Sequence, residues 1–364
     1  MTKKKGASTN SNLRKAAKVK NDEFFTPLNE IEKELVYYKD HFKNKIVYCN
    51  CDDPYRSNFV KYFALNFKFL GLKQLIATCY KNPDRDDTNF PEVSNKPIKW
   101  VYNGEQIHNE NLPDISKAIV TELKGDGDFR SEECLEILKQ CDIVATNPPY
   151  NLFFEFVDII INLNKDFITL GGITAIASKN IFNLIKDNKV WVGYNKSKGN
   201  VEFIKEDLST FELPSYWYTS LEHNKRNEEL ILYKSYNDEE YFKYDNFNAI
   251  EVGKVKDIPN DYLGLMGVPI TFINKYSPTQ FEILGISSDS EFCNFSKEYV
   301  NTKMYNSKGE LKSSNTNINS ALCIKHNIIP DKGTYYTADN IDYYITKPYA
   351  RVFIKNKRPI IRFN

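Results

Sequence analysis

The first 180 residues of the chain alternate short apolar runs with amphipathic stretches. Apolar runs of strand length occupy residues 45–51, 73–80, 116–123, 141–147 and 171–178. Stretches with a helical period of apolar positions occupy residues 57–72, 132–140 and 152–163. Alternating strands and helices predict an α/β fold with a doubly wound parallel sheet, and ligands of such sheets bind at the carboxyl ends of the strands.

A different pattern begins near residue 250. One more strand is predicted at 227–236, and short β-type runs separated by Gly- and Pro-rich segments then continue to the end of the chain. Residues 1–20 contain almost no large apolar side chain, which is typical of a disordered tail. We therefore predict three parts: a disordered basic tail at 1–20, an α/β domain at 21–250 and a second region at 251–364.

Composition adds expectations about compartment and metal content. The sequence has no run of about 18 uncharged apolar residues, and its N-terminus lacks the apolar segment of a secretory signal. We therefore expect a cytoplasmic protein without a membrane span, with its seven cysteines as reduced thiols. Cys49 and Cys51 have no second close cysteine pair and no suitably spaced histidine, so we expect no metal.

Basic residues concentrate at the two ends of a chain whose net charge is only +1. Residues 1–20 hold seven Lys or Arg and no acid, and residues 296–364 hold twelve Lys or Arg against five acids. Such segments are typical of nucleic-acid binding, but a solvated tail and surface look the same. Charge alone leaves both interpretations open.

The strongest chemical signal is the turn Asn147-Pro148-Pro149-Tyr150 that follows a buried apolar run. Two prolines fix two φ angles and remove two backbone donors, so the turn is stiff. The Asn147 side-chain oxygen and the Pro148 carbonyl can accept both hydrogens of a planar amine such as that of adenine. Tyr150 can stack on a base rotated out of a duplex. The structural alternative is an Asn cap with a Pro-Pro turn that opens a helix.

The stretch "DIVATNPPYNLFFEFV" resembles the catalytic motif of S-adenosylmethionine-dependent amino-methyltransferases, and its leading Asn is similar to the adenine-N6 group. "EFFTP" (23–27), "VYCNCDDPYRSNF" (47–59) and "GDGDF" (125–129) stand in matching order, similar to the gamma arrangement. Together with "SYWYTSLEHNKR" (215–226) and "LMGVPITF" (265–272), they resemble the EcoRI-type adenine-specific DNA methyltransferases over most of residues 22–290.

The resemblance implies a Rossmann-like methyltransferase sheet in the catalytic domain at 21–250 and a DNA target-recognition region at 251–364. It implies catalytic roles for Asn147, Pro148, Pro149 and Tyr150. It implies S-adenosylmethionine contacts by Phe25, Thr26, Pro27, Asn50, Asp52, Asp53, Pro54, Ser57, Asn58, Asp128 and Phe129. Asp128 and Phe129 would hold the adenine of the cofactor, and Thr26 and Pro27 would lie near its methionine part.

The first cofactor motif departs from the family pattern. Asp53-Pro54-Tyr55 is followed by Arg56-Ser57-Asn58 and not by the usual glycines, which let the backbone approach a ligand closely. We expect Ser57 and Asn58, at a helix start, to supply side-chain and N–H contacts instead. The second predicted strand ends without the acid that usually holds ribose hydroxyls, so Asp52 or Asp53 takes that role in our interpretation.

Duplex DNA is the expected partner. We assign base or phosphate contacts to Trp217, Lys225, Arg226, Arg351, Lys355 and Arg358. Around residue 217, a strand with core aromatics and a charged turn is the alternative. We expect a monomer that methylates the N6 amine of a flipped adenine, with a cognate restriction endonuclease acting separately if one exists. The competing functions are methylation of RNA or of a protein glutamine, and DNA binding without catalysis.

Overall fold

A computed structural model describes residues 25–81, 96–107, 112–195, 200–205 and 209–360, so the predicted tail at 1–20 lies outside the described residues. The chain divides into two compact units. The first comprises residues up to Gly172 together with Ser197–Trp217, and the second comprises Ile173–Lys196 and Tyr218 onward. The domain boundary that we predict near residue 250 therefore falls inside the second unit.

A large mixed sheet contains the parallel core of the first unit. Its strands are β1 (Ile46–Cys49), β2 (Gln74–Ala77), β3 (Ile98–Tyr102), β4 (Ile119–Glu122), β5 (Ile143–Thr146), β6 (Asp166–Gly172), β7 (Trp191–Val192), β8 (Asn200–Ile204) and β9 (Thr210–Thr219). β2, β1, β5 and β6 are neighbours in that order and run parallel. They are buried on both faces, which explains their continuous apolar runs.

Antiparallel strands flank this core, so a wholly parallel doubly wound sheet is not what forms. β3 pairs antiparallel with β2 and β4 pairs antiparallel with β3. β9 follows β6 in the sheet order, and β8 pairs antiparallel with β9. β7 pairs with Tyr218 and Thr219, the last residues of β9, which belong to the second unit. β3 alternates buried and half-buried positions, as antiparallel strands do when one face is wetter than the other.

Two predicted strands are misplaced. The run at 171–178 begins with the last residues of β6 and continues as a 3-10 helix at Ile173–Ala177, because periodicity alone cannot separate a short buried strand from a buried helical turn. The run at 227–236 forms no strand beyond one bridge between Lys234 and Pro259. Ile231 and Tyr233 are 74% and 78% exposed there, so the alternation does not mark a buried face.

The predicted helices agree with the structure more closely than the predicted strands do. They are α1 (Leu28–Leu35), α2 (Asn58–Leu65), α3 (Phe67–Leu70), α4 (Glu132–Gln140), α5 (Phe153–Asn162) and α6 (Lys179–Lys186). The predicted helix at 57–72 is divided at Asn66 and ends at Gly71, whose φ of 64° few other residues adopt. Ser57 and Ser131 cap α2 and α4 through their side-chain oxygens. The remaining helical segments are short 3-10 turns at Val36–Phe42, Ile115–Lys117, Tyr150–Leu152, Ile173–Ala177, Asn224–Asn227, Val255–Asp257 and Ile270–Lys275.

The second unit is mainly β-structure. Its further strands are β10 (Ile250–Glu251), β11 (Met266–Pro269), β12 (Phe281–Ile286), β13 (Lys303–Asn306), β14 (Leu311–Ser314), β15 (Ile324–His326), β16 (Thr334–Thr337), β17 (Tyr344–Thr346) and β18 (Arg351–Asn356). One sheet has the order β10-β11-β18-β12 and the other the order β14-β13-β16-β17-β15. Phe353 of β18 packs in a buried cluster with Tyr244, Ala249, Cys293 and Leu322.

All seven cysteines are free, and six of them are buried. Within the described residues, no group of three or more His, Cys, Asp or Glu side chains is placed to hold a metal ion. Among the helices of the described ranges, none has the length and apolar character needed to span a bilayer.

Candidate active site

The candidate site forms where the chain changes direction across the sheet. From β1 the chain first builds β2 on one side, and β5 later pairs with β1 on the other side. The carboxyl ends of β1 and β5 therefore meet at a topological switch point, the usual ligand position in such sheets. Asp52 follows β1 and Asn147 follows β5, so the two motifs become neighbours although they are far apart in sequence.

Asp52 joins these two turns by hydrogen bonds. Its carboxylate accepts hydrogen bonds from the Thr146 hydroxyl, from Ser57 Oγ at 2.6 Å and from the backbone N–H of Asn147. The Thr146 hydroxyl in turn accepts from the Cys51 N–H at 3.2 Å. The backbone N–H of Asp52 donates to the Thr78 carbonyl at 3.1 Å, which also ties the turn to β2. Asp52 is thus a fixed bridge between the cofactor motif and the NPPY turn.

Burial dominates the ionisation of this carboxyl group. Asp52 is only 7% exposed, and desolvation raises its pKa from 3.8 to about 6. The hydrogen bonds from Ser57, Thr146 and Asn147 oppose that rise because they stabilise the charged form. Since its oxygens already accept three hydrogen bonds, the carboxylate is occupied in orienting the NPPY turn.

The turn after Asp52 is built without glycine. Its backbone has no positive φ between residues 50 and 58, so the conformational freedom of glycine is not needed there. The Asp53 carboxylate accepts from the Tyr55 N–H at 2.9 Å and pairs with Lys81 at 2.6 Å. Its carbonyl accepts from the N–H groups of Arg56 and Ser57. This explains how the unusual motif forms a defined turn.

The side chains of Ser57 and Asn58 stabilise this turn through hydrogen bonds. The Ser57 side chain accepts from the Phe59 N–H at 3.0 Å while donating to Asp52, and the Asn58 amide donates to the Thr26 carbonyl at 2.8 Å. The Thr26 hydroxyl is buried and has no hydrogen-bond partner among the described residues. A buried hydroxyl beside the acidic turn fits a small ligand with polar and charged groups, as S-adenosylmethionine is.

The "GDGDF" loop docks beside the end of β2. The Lys81 N–H donates to the Asp126 carbonyl at 2.9 Å. Gly127 has a φ of 78°, and a Cβ there would lie 2.2 Å from the Cys79 carbonyl oxygen. Only glycine permits this approach, so the loop position depends on that residue.

Arg130 holds the acid of this loop. Its guanidinium donates to both Asp128 oxygens, at 2.9 and 2.7 Å, and these bonds lower the pKa of Asp128. Phe129 is buried against Phe156, with ring centroids 5.4 Å apart. Asp128 is therefore held in its charged form with both oxygens engaged by Arg130, and its contact with the cofactor stays a prediction.

The four residues of the NPPY turn differ in solvent exposure. Pro148 is buried, Asn147 and Tyr150 are half-buried and Pro149 is exposed. The Tyr150 hydroxyl shares a hydrogen bond of 2.7 Å with Ser215 Oγ, and its ring meets Phe203 edge-on at 6.2 Å. Burial raises the pKa of Tyr150, so the phenol stays neutral. These two contacts therefore fix the position of the Tyr150 ring in the absence of a bound base.

Three of the residues that we assigned to DNA contacts are buried and contact other side chains of the protein. Trp217 is 2% exposed and packs against Phe59. The buried Arg226 lies 3.7 Å above the Trp191 ring and pairs with Glu222. Arg351 makes a buried bidentate pair with Glu251, with a shortest distance of 2.6 Å. These placements favour the structural alternative for the first two and give Arg351 a structural role as well.

The other three assigned residues are more accessible. Lys225 is half-buried, with its ammonium 4.9 Å from the Tyr194 ring centre. Lys355 is exposed on β18. Arg358 is exposed and pairs with Glu229 at 2.9 Å. Their contacts with DNA stay predictions.

Sequence reasoning missed four side chains that complete the site: Lys81, Arg130, Thr146 and Ser215. A signal existed for two of them, because Arg130 directly follows the Asp-Phe pair and Thr146 is a polar residue inside an apolar strand. Lys81 and Ser215 reach the site only through the folded topology, and nothing in the sequence marks them.

A mixed α/β sheet with an acidic turn after β1 and an Asn-Pro-Pro-Tyr turn after β5 is consistent with an amino-methyltransferase. Comparison with known proteins then identifies the group. The chain belongs to the family of EcoRI adenine-specific methyltransferases, whose profile matches residues 12–357. This confirms the predicted family and the predicted class of activity, adenine-specific DNA methylation.

Individual relatives agree. The chain is 44% identical over 295 residues to the Type II methyltransferase M.EcoRI of Escherichia coli, which covers 76% of this chain and 89% of that protein. It is 37% identical over 290 residues to M.MgeORF184P of Mycoplasma genitalium, covering 74% and 84%, and 36% identical over 289 residues to M.MpnI of Mycoplasma pneumoniae, also covering 74% and 84%. No solved structure matches significantly.

Proposed function

We propose that this protein transfers a methyl group from S-adenosylmethionine to the N6 amine of an adenine rotated out of duplex DNA. The observation that carries the proposal is the bridge from Asp52 to Thr146 and Asn147, which joins an acidic turn to the NPPY turn at one edge of the sheet. Base rotation is needed because the amine is inaccessible inside a duplex.

Residues around the acidic turn would hold the cofactor. Thr26 and Pro27 would contact its methionine part, Asp53 its ribose hydroxyls, and Asp128 with Phe129 its adenine. Asn50, Pro54, Ser57, Asn58 and Phe25 complete the proposed set, and Asp52 acts behind it as a positioning residue. When bound, the cofactor supplies a methyl carbon made electrophilic by its sulfonium.

The NPPY turn would orient the adenine. The Asn147 side-chain oxygen and the Pro148 carbonyl each accept one N–H of the amine, which directs the nitrogen lone pair. Tyr150, fixed by Ser215, stacks on the base beside the exposed Pro149. The amine loses its proton during or after attack, so orientation matters more than a strong base and contributes up to roughly 7–11 kcal/mol in ideal cases.

The partners follow from this chemistry. Lys225 and Lys355 would contact DNA phosphates, because both are basic, Lys355 is exposed and Lys225 is only half-buried. Such an enzyme can act as a monomer, since each strand of a short palindromic site can be methylated in a separate event. A restriction endonuclease of the same specificity would act separately on unmethylated sites.

Transfer of labelled methyl groups tests the proposal. Wild-type protein should label duplex DNA, and sequencing of the product should find the modification on adenine N6. Asn147→Ala should reduce kcat by at least about 100-fold, as removal of one preorganised polar group does in other enzymes, while calorimetry shows unchanged cofactor binding. Asn162→Ala, which removes an exposed asparagine at the end of α5, is the matched control.

The same assay separates the competing functions. Preferential labelling of RNA or of protein glutamine would replace the DNA assignment. Undetectable binding of millimolar cofactor would leave a DNA-binding relative without catalysis. Full activity of Asn147→Ala would refute the proposed role of the NPPY turn.

A further inference from the structure

A group of lysines converges at one edge of the smaller sheet of the second unit. β10 and β11 run parallel as neighbours, with Ile250 opposite Met266 and Glu251 opposite Gly267. The segments that leave their carboxyl ends therefore emerge on the same side. Lys254 and Lys256 lie in the segment after β10, and Lys275 ends the 3-10 helix after β11. All three side chains are exposed.

These lysines surround an open groove of about 580 Å³. Its walls are completed by Gly253, Val255, Pro269, Thr271 and Asn274. The groove is open to solvent, so an anionic chain can reach its lysines from outside the protein. The lining offers hydroxyl and amide groups between the three ammonium groups, so both charge and hydrogen bonding suit an anionic backbone.

The positive charge of this groove is not neutralised locally. None of the three lysines forms an ion pair within the part of the chain that the structure describes. The nearby acids are already engaged: Glu251 by the buried Arg351, and Asp257 by Lys234 at 3.7 Å. An exposed cluster of like charges without local partners destabilises the isolated protein slightly and attracts polyanions.

We propose that the groove formed by Lys254, Lys256 and Lys275 binds backbone phosphates of duplex DNA. Ammonium groups act as point charges without the planar fork of arginine, and contacts to phosphates fix the position of the duplex without carrying sequence information. The inference rests on the proposed function for the identity of the polyanion. It assigns the phosphate contacts to residues other than Arg226 and Arg351, whose guanidinium groups are held inside the protein.

Salt-dependent DNA binding tests this assignment. Binding of the full chain to a labelled duplex would be measured by fluorescence anisotropy from 50 to 300 mM salt. Each phosphate contact contributes about 0.9 to the slope of log K against log salt. The Lys254→Gln, Lys256→Gln, Lys275→Gln variant should lose about 2–3 units of slope and weaken binding on the order of tenfold per contact at 0.1 M salt.

The matched control removes the same charge elsewhere. Lys43 and Lys73 are exposed near the amino ends of β1 and β2, and Lys39 is exposed in the 3-10 helix at Val36–Phe42 that precedes β1. Their triple glutamine variant should keep the wild-type slope within about half a unit. Cofactor affinity should be the same in both triple variants, since none of the six lysines forms a hydrogen bond or ion pair with the described residues of the cofactor motifs.

Gly253 offers a second test inside the groove. A Cβ at this position would meet nothing within 4 Å, so longer side chains fit without disturbing the fold. Gly253→Glu should weaken DNA binding and lower the slope, whereas Gly253→Gln, of the same shape but neutral, should stay near wild type. Gly253→Lys should strengthen binding.

The outcomes distinguish this inference from the proposed function. Wild-type protein that binds duplex with an unchanged slope in the groove variants would overturn the groove assignment alone. Wild-type protein that binds no duplex, or binds RNA more tightly, would overturn both. Loss of slope in the control triple variant to the same degree would show that binding follows total charge, which also refutes the groove.

Discussion

The bridging carboxylate of Asp52 makes folding stability depend on pH in a specific direction. Its pKa rises from 3.8 to about 6 on folding, roughly two units, and each unit corresponds to about 1.4 kcal/mol. Because the folded-state pKa is the higher one, the folded protein binds more protons between about pH 4 and pH 6. Stability contributed by this group is therefore lost as pH rises through that window, by about 3 kcal/mol in total.

Asp52→Asn removes this titration while keeping the side-chain shape. The variant loses hydrogen-bond acceptors, which adds a constant offset, but the difference in unfolding free energy between wild type and variant should shift by roughly 2–2.5 kcal/mol in favour of the variant between pH 4 and pH 7. Urea unfolding at several pH values measures this shift. Asp158→Asn, at an exposed position of α5, is the matched control that removes one carboxylate away from the candidate site.

The buried thiols near Asp52 do not mask the effect. Burial raises the pKa values of Cys49 and Cys51 well above the tested range. A pH-independent difference between wild type and Asp52→Asn would show that folding does not raise the pKa of Asp52.

Kinetics of the same variant separate two roles. A positioning role predicts lower kcat with an unchanged KM for the cofactor, since the variant misplaces Asn147. A ribose-binding role predicts the reverse, a raised KM with kcat preserved.

Two further substitutions test contacts that stabilise the fold. Gly127→Ala should destabilise the protein by roughly 1–3 kcal/mol and weaken cofactor binding, because the new Cβ would meet the Cys79 carbonyl and φ is positive; thermal unfolding and calorimetry measure both, and an unchanged melting temperature would contradict the packing. Arg351→Met should destabilise the second unit by about 3–5 kcal/mol by leaving Glu251 buried without its partner. Adding Glu251→Gln should restore much of that loss, and equal loss in the double variant would show that the charge pair is not responsible.

The parts of the fold that could be predicted are those where local pattern and burial agree. The segment 141–163 combines a fully buried strand, a proline turn and an amphipathic helix, and all three form as expected. The antiparallel strands β3, β8 and β9 were missed because buried positions alternate with more exposed ones along much of their length, so none of them forms a continuous apolar run. The run at 227–236 alternates like a strand, yet its apolar side chains face solvent.

The candidate site was likewise predictable from the sequence only in part. Short motifs singled out Asn147, Asp52 and Asp128, because the stretches around them resemble those of the family in the same order. What each side chain does depends on residues brought by topology, and Thr146 meets Asp52 from 94 positions away. The same holds for the basic residues: sequence marks Arg351 and Lys254 alike as cations, and only burial separates a structural ion pair from an accessible ammonium group.

The buried thiols give the molecule a built-in reporter of local opening. Burial raises the pKa of Cys141 and Cys293 to about 12 and of Cys323 to about 11, so little thiolate exists at neutral pH while the surroundings stay closed. Alkylation of each cysteine then proceeds only when its segment transiently unfolds. Labelling rates measured by mass spectrometry at Cys141 report local opening in the first unit, and those at Cys293 and Cys323 report it in the second. Comparing these rates would show, without an introduced probe, whether local opening in one unit occurs independently of local opening in the other.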